Sequence, residues 1–198
     1  MKNNWARYIS GYAAIIASLY CLYRFHSIFP VFLAFLFLLV VCITDTFYAK
    51  IPNVATLSLV TISVGYHFYV NGAEGILFSM TGLIAGLALY IIPYAMGGMG
   101  AGDVKALASL GSLMGVSVIF QIFLYASLIG FFLAILHILF DRNLKKRIAK
   151  WKAAVLVFAA TWKVRHLGAL DAHEKLKFPY VSAITFGFFA YVTLGNII

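Results

Sequence analysis

The chain has 198 residues, of which 64% are hydrophobic and only 11% are charged, and its formal net charge is +9. Soluble domains carry a charge on about a quarter of their residues, so this composition excludes an ordinary soluble domain. Apolar segments long enough to cross a hydrocarbon core of about 30 Å recur along the chain, too often for one anchor on a soluble body. The composition therefore predicts an all-α polytopic membrane protein, folded as a single domain over residues 1–198.

The apolar pattern predicts a bundle of six or seven transmembrane helices. The first apolar run is followed almost at once by a second and has no small-residue cleavage site before a polar chain, so we expect a retained helix. The turn between the fifth and sixth spans, near residues 115–117, is the least distinct boundary, and six helices result if it is absent. The predicted spans are residues 8–24, 28–44, 54–70, 74–95, 104–118, 119–140 and 179–198.

Lysine and arginine residues fall on one side of these spans. Cytoplasmic loops of membrane proteins are enriched in both residues, so a cytoplasmic N-terminus leaves only Arg24 facing outward. This distribution predicts a protein of the cytoplasmic membrane whose Asp45 and Asp103 lie at the cytoplasmic edge. The 14 basic residues placed in the cytoplasm are Lys2, Arg7, Lys50, Lys105, Arg142, Lys145, Lys146, Arg147, Lys150, Lys152, Lys163, Arg165, Lys175 and Lys177.

Residues 141–177 differ from the rest of the chain because they open with the basic string "DRNLKKRIAKWK" and their apolar part is too short to cross a membrane. A basic segment with tryptophans is expected to lie in the cytoplasm or at the interface, against anionic lipids. A loop that fixes topology, a substrate-docking segment and a partner-binding segment all remain open. No nucleic-acid partner is expected, because membrane orientation accounts for the net charge and no recognition module is present.

Asp45 and Asp103 are the candidate functional residues, because ionisable groups in or beside membrane helices are costly to insert. Either aspartate alone could be a solvated helix cap. Pro52 suits the first turn of a helix after Asp45, and Asn53 is a possible cap. Asp103 follows Gly97, Gly98, Gly100 and Gly102, and irregular backbone at membrane depth is tolerated only in protein or beside a watery cavity. The glycine run therefore predicts a cavity with Asp103 on its wall.

Two carboxylates brought together by different helices have a known chemistry. Like charges in a poorly solvated site do not both ionise readily, so such a pair holds one shared proton. The ionised group takes a proton from water while the protonated group polarises a peptide carbonyl. The pair needs neither a metal nor another cofactor, and we predict none.

The strings "DTFYAKIPN" and "GMGAGDVKALASLG" together resemble the type IV prepilin peptidase family, the GxGD membrane aspartyl proteases. Members carry a first aspartate at a cytoplasmic helix end, then an Ile-Pro-Asn turn, and a second aspartate in Gly-x-Gly-Asp-Val-Lys. The resemblance covers roughly residues 30–115, and "FPYVSAITFGFF" is more loosely similar to the final helix of the family. It implies Asp45 and Asp103 as catalytic residues. The residues implied to shape the site or bind substrate are Pro52, Asn53, Gly100, Gly102 and Lys105.

The resemblance also implies the substrate. The expected reaction is cleavage of prepilin-like precursors at the cytoplasmic face, between a short basic leader and a hydrophobic helix. Larger members contain a cysteine-rich insertion associated with methyltransferase activity, and this chain has no such insertion. We therefore expect peptidase activity without methylation, as in the compact members that serve Flp-type pili or archaeal flagellins. The pilin or flagellin and the oligomeric state stay open.

The remaining polar residues have structural interpretations. Cys21 and Cys42 lie in apolar runs and indicate neither a disulfide nor a metal site, and the five histidines lack zinc-ligand spacing. The small-residue pairs of "GLIAG" and "GSLMG" favour close helix packing. A transporter or assembly scaffold that binds a proton or cation is the rival from another class. A presenilin-like intramembrane protease fits less well, because Asp45 lies at a helix end before a proline turn.

Overall fold

A computed structural model describes residues 5–95, 99–139 and 180–195 of the chain, and all regular structure within them is α-helical. The chain divides into two compact units, one formed by residues 1–131 and 179–198 and the other by residues 132–178. All the predicted site residues belong to the first unit. The basic segment 141–177 lies outside the described residues, so its expected interfacial location stays a prediction.

Five helical segments account for the described structure, and two of them are interrupted by a glycine. Pro30 lies in the first turn of the second helix. N–H groups in the first turn of a helix have no partner within the helix, so the missing N–H of proline costs no hydrogen bond there. Links of four residues, 25–28 and 49–52, join the first three helices. The helices are α1 (Trp5–Arg24), α2 (Phe29–Tyr48), α3 (Asn53–Ala95), α4 (Ala101–Leu139) and α5 (Tyr180–Leu194).

Helix α3 reverses direction at Gly72, whose φ of 59° is a left-handed conformation that glycine adopts without steric cost. The rings of His67 and Phe78 lie 4.7 Å apart, whereas eleven residues of straight helix would separate them by about 16 Å. Gly75 also approaches the main chain of His67 so closely that a Cβ would overlap it. Residues 53–71 and 73–95 therefore form the two arms of a helical hairpin, and both ends of α3 lie on the same side.

Helix α4 is broken in the same way at Gly115, where φ is 80°. A Cβ built at Gly111 would lie 3.4 Å from Cγ1 of Ile119, which is eight residues further along the chain. The chain therefore turns sharply between these two residues. The break lies where the sequence predicts its least distinct turn. The first arm of α4, residues 101–114, packs antiparallel to the second arm of α3, because Gly82 meets Gly111 and Gly86 meets Ala108.

Three of the five helices are long and apolar enough to cross a membrane: Phe29–Tyr48, Asn53–Ala95 and Ala101–Leu133. The chain is accordingly an integral membrane protein. Helix α1 has 20 residues but carries four tyrosines and two arginines, and α5 is apolar but has 15 residues. The breaks at Gly72 and Gly115 divide the two longest helices, but six or seven crossings are not confirmed and that number stays a prediction.

The core lies where α2, α4 and α5 meet. Phe35 of α2 and Phe188 of α5 are fully buried, and their ring centroids are 4.6 Å apart. The thiol of Cys42 lies 3.1 Å from the hydroxyl of Thr185, which joins the same two helices nearer to Asp45. Both cysteines are buried and free, in agreement with their expected role as small apolar residues. Large apolar side chains cover the outside of the helices, as a lipid-facing surface requires.

Candidate active site

Asp45 lies in the last turn of α2, and its side chain is half-buried. Its main-chain carbonyl accepts a hydrogen bond from the N–H of Ala49 at 3.0 Å, and the guanidinium of Arg7 donates to the same carbonyl. Ala49 has a left-handed backbone, with φ of 53°, which ends the helix and directs the chain into the following turn. The main chain of Asp45 is thus held from its own helix end and from α1.

Asp103 lies in the first turn of α4, immediately after the glycine-rich segment. Its side-chain Oδ2 accepts a hydrogen bond from the N–H of Gly100 at 3.1 Å, and its own N–H donates to the Gly100 carbonyl at 3.1 Å. The side-chain bond is one half of a capping box, in which the third helical residue reaches back to the N–H of the capping residue; Gly100 has no side chain to supply the other half. A Cβ at Gly100 would lie 3.0 Å from Oδ2, so the glycine leaves room for the carboxylate.

The two motifs pack directly against each other. A Cβ built at Gly102 would lie 3.1 Å from Cβ of Ile51, so the GxGD segment rests on the turn that follows Asp45. The ammonium of Lys105 donates a hydrogen bond to the side-chain oxygen of Asn53 at 3.0 Å. The turn after α2 and the start of α4 are therefore joined by one apolar and one polar contact, although Asn53 and Lys105 are 52 residues apart in sequence.

This packing brings both aspartates to one end of the helices. The negative charge of Asp45 acts on Asp103, so the two carboxyl groups lie within electrostatic range of each other. Both aspartates are half-buried, so each is poorly solvated but not closed off from water. Poor solvation and mutual repulsion together are the conditions under which two carboxyl groups share one proton.

Tyr90 and Tyr180 complete the surroundings of Asp103, and the sequence did not single them out. The charge of Asp103 acts on both tyrosine side chains. Tyr90 lies in the second arm of α3 and is 3% exposed, with its ring 5.6 Å from that of Phe123. Tyr180 begins α5, within the string that resembles the last helix of the family, and this position was the one available signal. Nothing in the sequence distinguishes Tyr90 from the other 11 tyrosines.

The other residues predicted to shape the site lie in or beside the turn that precedes α3 and in the glycine-rich segment. Pro52 is the last residue of the link before α3, and its carbonyl accepts the N–H of Thr56 at 3.4 Å. Asn53 is the first residue of α3, and its side-chain oxygen accepts a hydrogen bond from Lys105, which joins α3 to α4. Gly97 and Gly98 lie outside the described residues, and the cavity predicted there stays a prediction. Within residues 5–95, 99–139 and 180–195, no three metal-ligating side chains form a cluster.

A protein family matches the sequence, although no match was found among curated proteins or among solved structures. The sequence pattern of the type IV leader peptidase family matches residues 32–135, a stretch that contains both aspartates, the turn after Asp45 and the GxGD segment. Because this match spans more than half of the chain, the protein belongs to the type IV leader peptidase family.

Proposed function

We propose that the protein is a membrane aspartyl endopeptidase that removes the leader of prepilin-like precursors at the cytoplasmic face. One observation carries the proposal: the turn after Asp45 packs on the GxGD segment, and this packing places Asp45 and Asp103 within electrostatic range. Family membership supports the peptidase activity in general. The pairing of two half-exposed carboxyl groups from separate helices supports the aspartyl mechanism.

The mechanism follows from a pair that holds one proton. The ionised carboxylate takes a proton from a water molecule, and the water oxygen attacks the carbonyl carbon of the peptide bond. The protonated carboxyl group gives its proton to the carbonyl oxygen, which forms a tetrahedral intermediate. The carboxyl group that took the proton from water then gives it to the amide nitrogen, the other carboxylate takes back a hydroxyl proton of the intermediate, and the carbon–nitrogen bond breaks. Every proton moves between water, the substrate and the two aspartates, so we propose no metal or other cofactor.

Lys105, Asn53, Gly100 and Gly102 act by shaping the site. The bond from Lys105 to Asn53 fixes the start of α3 against α4, and this is the role we assign to the pair. Gly102 allows Ile51 to approach, and Gly100 supplies the N–H that orients one oxygen of Asp103. Pro52 restricts the link before α3. A substrate contact of Lys105, which the family resemblance also allows, is compatible with this role because an ammonium group has three N–H donors and Asn53 accepts only one of them.

The cytoplasmic location is proposed from the distribution of charge. Arg7, Lys50 and Lys105 lie at the end of the helices that carries the aspartates, whereas Arg24 lies at the opposite end of α1. The positive-inside rule assigns the first end to the cytoplasm. Membrane lipid is the expected surroundings of the apolar exterior, and no nucleic acid is proposed as a partner.

The substrate is proposed from the resemblance and from the short links. The four-residue links at 25–28 and 49–52 contain no cysteine and leave no room for the insertion found in larger members. We therefore propose a compact peptidase, of the kind that serves Flp-type pili, which cleaves the leader and transfers no methyl group.

The test is cleavage by the purified full-length protein in detergent. The substrate is a prepilin-like polypeptide with a short basic leader, a glycine and a hydrophobic helix, and mass spectrometry identifies the products. We expect cleavage after the glycine, no added methyl group in the presence of S-adenosylmethionine, and no effect of a metal chelator. Asp45→Asn and Asp103→Asn should each lower the rate by about 100- to 10,000-fold, the usual contribution of general acid–base catalysis.

A matched control removes a different carboxyl group. Glu74→Gln changes an exposed residue near the hairpin turn of α3, at the other end of the arms, and should cleave at the wild-type rate. Cleavage at the wild-type rate by either aspartate variant would exclude that residue from the reaction. Loss of cleavage with Glu74→Gln would show instead that the protein tolerates no loss of acidic charge.

A further inference from the structure

We infer that Arg7, together with the first turns of α1, is a positioning residue that fixes the catalytic end of α2 and thereby the distance of Asp45 from Asp103. The inference rests on the role proposed for Asp45. Helix α1 lies outside residues 32–135, so membership of the family does not account for it. Three separate contacts between α1 and the last turn of α2 support the inference.

The first contact is electrostatic. The guanidinium of Arg7 donates a hydrogen bond to the main-chain carbonyl of Asp45, which is 38 residues away in sequence. The Asp45 carbonyl also accepts the N–H of Ala49, so Arg7 adds a second donor at the negative end of the helix dipole. A basic side chain that bonds such a carbonyl stabilises the helix end. Because Arg7 bonds the main chain, it fixes the backbone from which the Asp45 side chain extends.

The second contact is steric. Gly11 follows Arg7 by one turn of α1, and a Cβ at this position would overlap Oγ1 of Thr46 and lie 2.8 Å from its Cγ2. Thr46 is 2% exposed, so its side chain is enclosed by protein. The glycine therefore allows α1 to lie directly on the residue next to Asp45.

The third contact is aromatic. The rings of Tyr12 and Phe47 meet edge to face, with their centroids 6.2 Å apart. The three contacts join residues 7, 11 and 12 of α1 to residues 45, 46 and 47 of α2. One face of α1 thus covers three successive residues at the end of α2, and we name these six residues the α1 clamp.

Two tests separate the clamp from the proposed reaction, and both use the full-length protein. The first measures the geometry without the activity. In a chain with Cys21→Ala and Cys42→Ser, the substitutions Asp45→Cys and Asp103→Cys provide two thiols for a short bifunctional thiol reagent. The main-chain carbonyl at position 45 is still present, so the bond from Arg7 is retained. Arg7→Gln should lower the rate of cross-linking, whereas Lys2→Gln, which removes the same charge from the same segment, should not.

The second test measures kinetics. Arg7→Gln should lower kcat by about 10- to 100-fold, because small displacements of reacting groups have effects of this size, and leave KM unchanged. Arg7→Lys retains the charge and a donor and should restore part of the loss. Lys2→Gln should leave kcat unchanged, which separates the clamp from the effect of positive charge on membrane orientation.

A compensating pair covers the case in which Arg7→Gln fails to fold. Gly11→Ala should lower kcat because the new methyl group displaces α1, and adding Thr46→Ala should restore part of the loss, because it removes Oγ1 and Cγ2 and leaves only Cβ, 3.0 Å away. Equal cross-linking with and without Arg7, or no recovery in the double variant, would overturn the clamp. Unchanged cleavage by Asp45→Asn would overturn the proposed reaction instead, and the cross-linking result would still decide whether α1 fixes the end of α2.

Discussion

The ends of α2 and α4 each carry an aspartate, but they hold it in opposite ways. Asp103 lies at a helix N-terminus, where the dipole favours a carboxylate, and Gly100, three residues away, donates to its side chain. Asp45 lies at a helix C-terminus, where the dipole disfavours a carboxylate, and its main chain is held by Arg7 from a different helix. Asp103 therefore contributes to the stability of its own helix, whereas helix stability does not explain why position 45 is an acid.

This difference shows which of the two aspartates is the stronger indication of a function other than helix stability. A capping carboxylate is common in proteins without any catalytic function, so the position of Asp103 alone does not indicate chemistry. A carboxylate in the last turn of a helix opposes the dipole and needs another reason to be there. The proposed pairing of Asp45 with Asp103 would supply that reason, because two carboxyl groups that share a proton can perform a reaction that neither performs alone.

The largest expected effect on stability concerns how α4 is held against α3. In Gly82→Ala the new Cβ would overlap the main-chain carbonyl of Gly111, so the two helices must separate. We expect a loss of about 1 to 3 kcal/mol in the free energy of unfolding, the usual range for overpacking. Thermal unfolding in detergent measures the loss, and cleavage should fall with it because α4 carries Asp103.

Gly65→Ala is the matched control on the same helix. Nothing lies within 4 Å of a Cβ at Gly65, so the substitution adds no clash. We expect unchanged or slightly higher stability, since alanine favours a helix over glycine by about 0.5 to 1 kcal/mol. Similar losses in both variants would show that α4 does not depend on the close contact at Gly82.

A smaller effect separates the two aspartates directly. Asp103→Ala removes the oxygen that accepts the Gly100 N–H and should lower the free energy of unfolding by about 0.5 to 1.5 kcal/mol, the usual net contribution of one hydrogen bond. Asp45→Ala removes a charge that opposes the dipole and should raise it by about 0.3 to 1 kcal/mol. Both variants should lose cleavage. Stability should fall together with activity in Asp103→Ala, whereas it should rise while activity falls in Asp45→Ala.

The asparagine variants provide the control for that comparison. Asp103→Asn keeps a side-chain oxygen that accepts the Gly100 N–H, so its unfolding temperature should stay close to that of the wild type although cleavage is lost. If Asp103→Ala and Asp45→Ala changed stability in the same direction, the contrast between the two helix ends would be wrong.

The smallest effect tests the bond that links the two motifs. Lys105→Met and Asn53→Ala each remove one partner of a single exposed hydrogen bond, and each should lower stability by about 0.5 to 1.5 kcal/mol. A double-mutant cycle should show that the two losses are not additive, because both variants remove the same bond. Additive losses in unfolding experiments would show that Lys105 and Asn53 act separately, and the role assigned to the pair would then be wrong.

The sequence by itself determined the helical membrane fold and the family, and it singled out the two aspartates that we propose as catalytic residues. Composition and apolar segments are local properties, and the strings around Asp45 and Asp103 identify the family without any knowledge of packing. The turn at Gly115 was also predictable, because small residues interrupt the apolar pattern there.

Only the tertiary structure decided what surrounds those aspartates. Arg7, Tyr90 and Tyr180 come from three different helices and lie outside the two motifs, and no local pattern distinguishes Arg7 and Tyr90 from the other basic and aromatic residues of the chain. The same holds for the bond from Lys105 to Asn53, because neither side chain alone specifies its partner. The break at Gly72 lies between the predicted spans 54–70 and 74–95, but the contacts between the two motifs depend on how the helices pack, which a residue's neighbours in sequence do not encode.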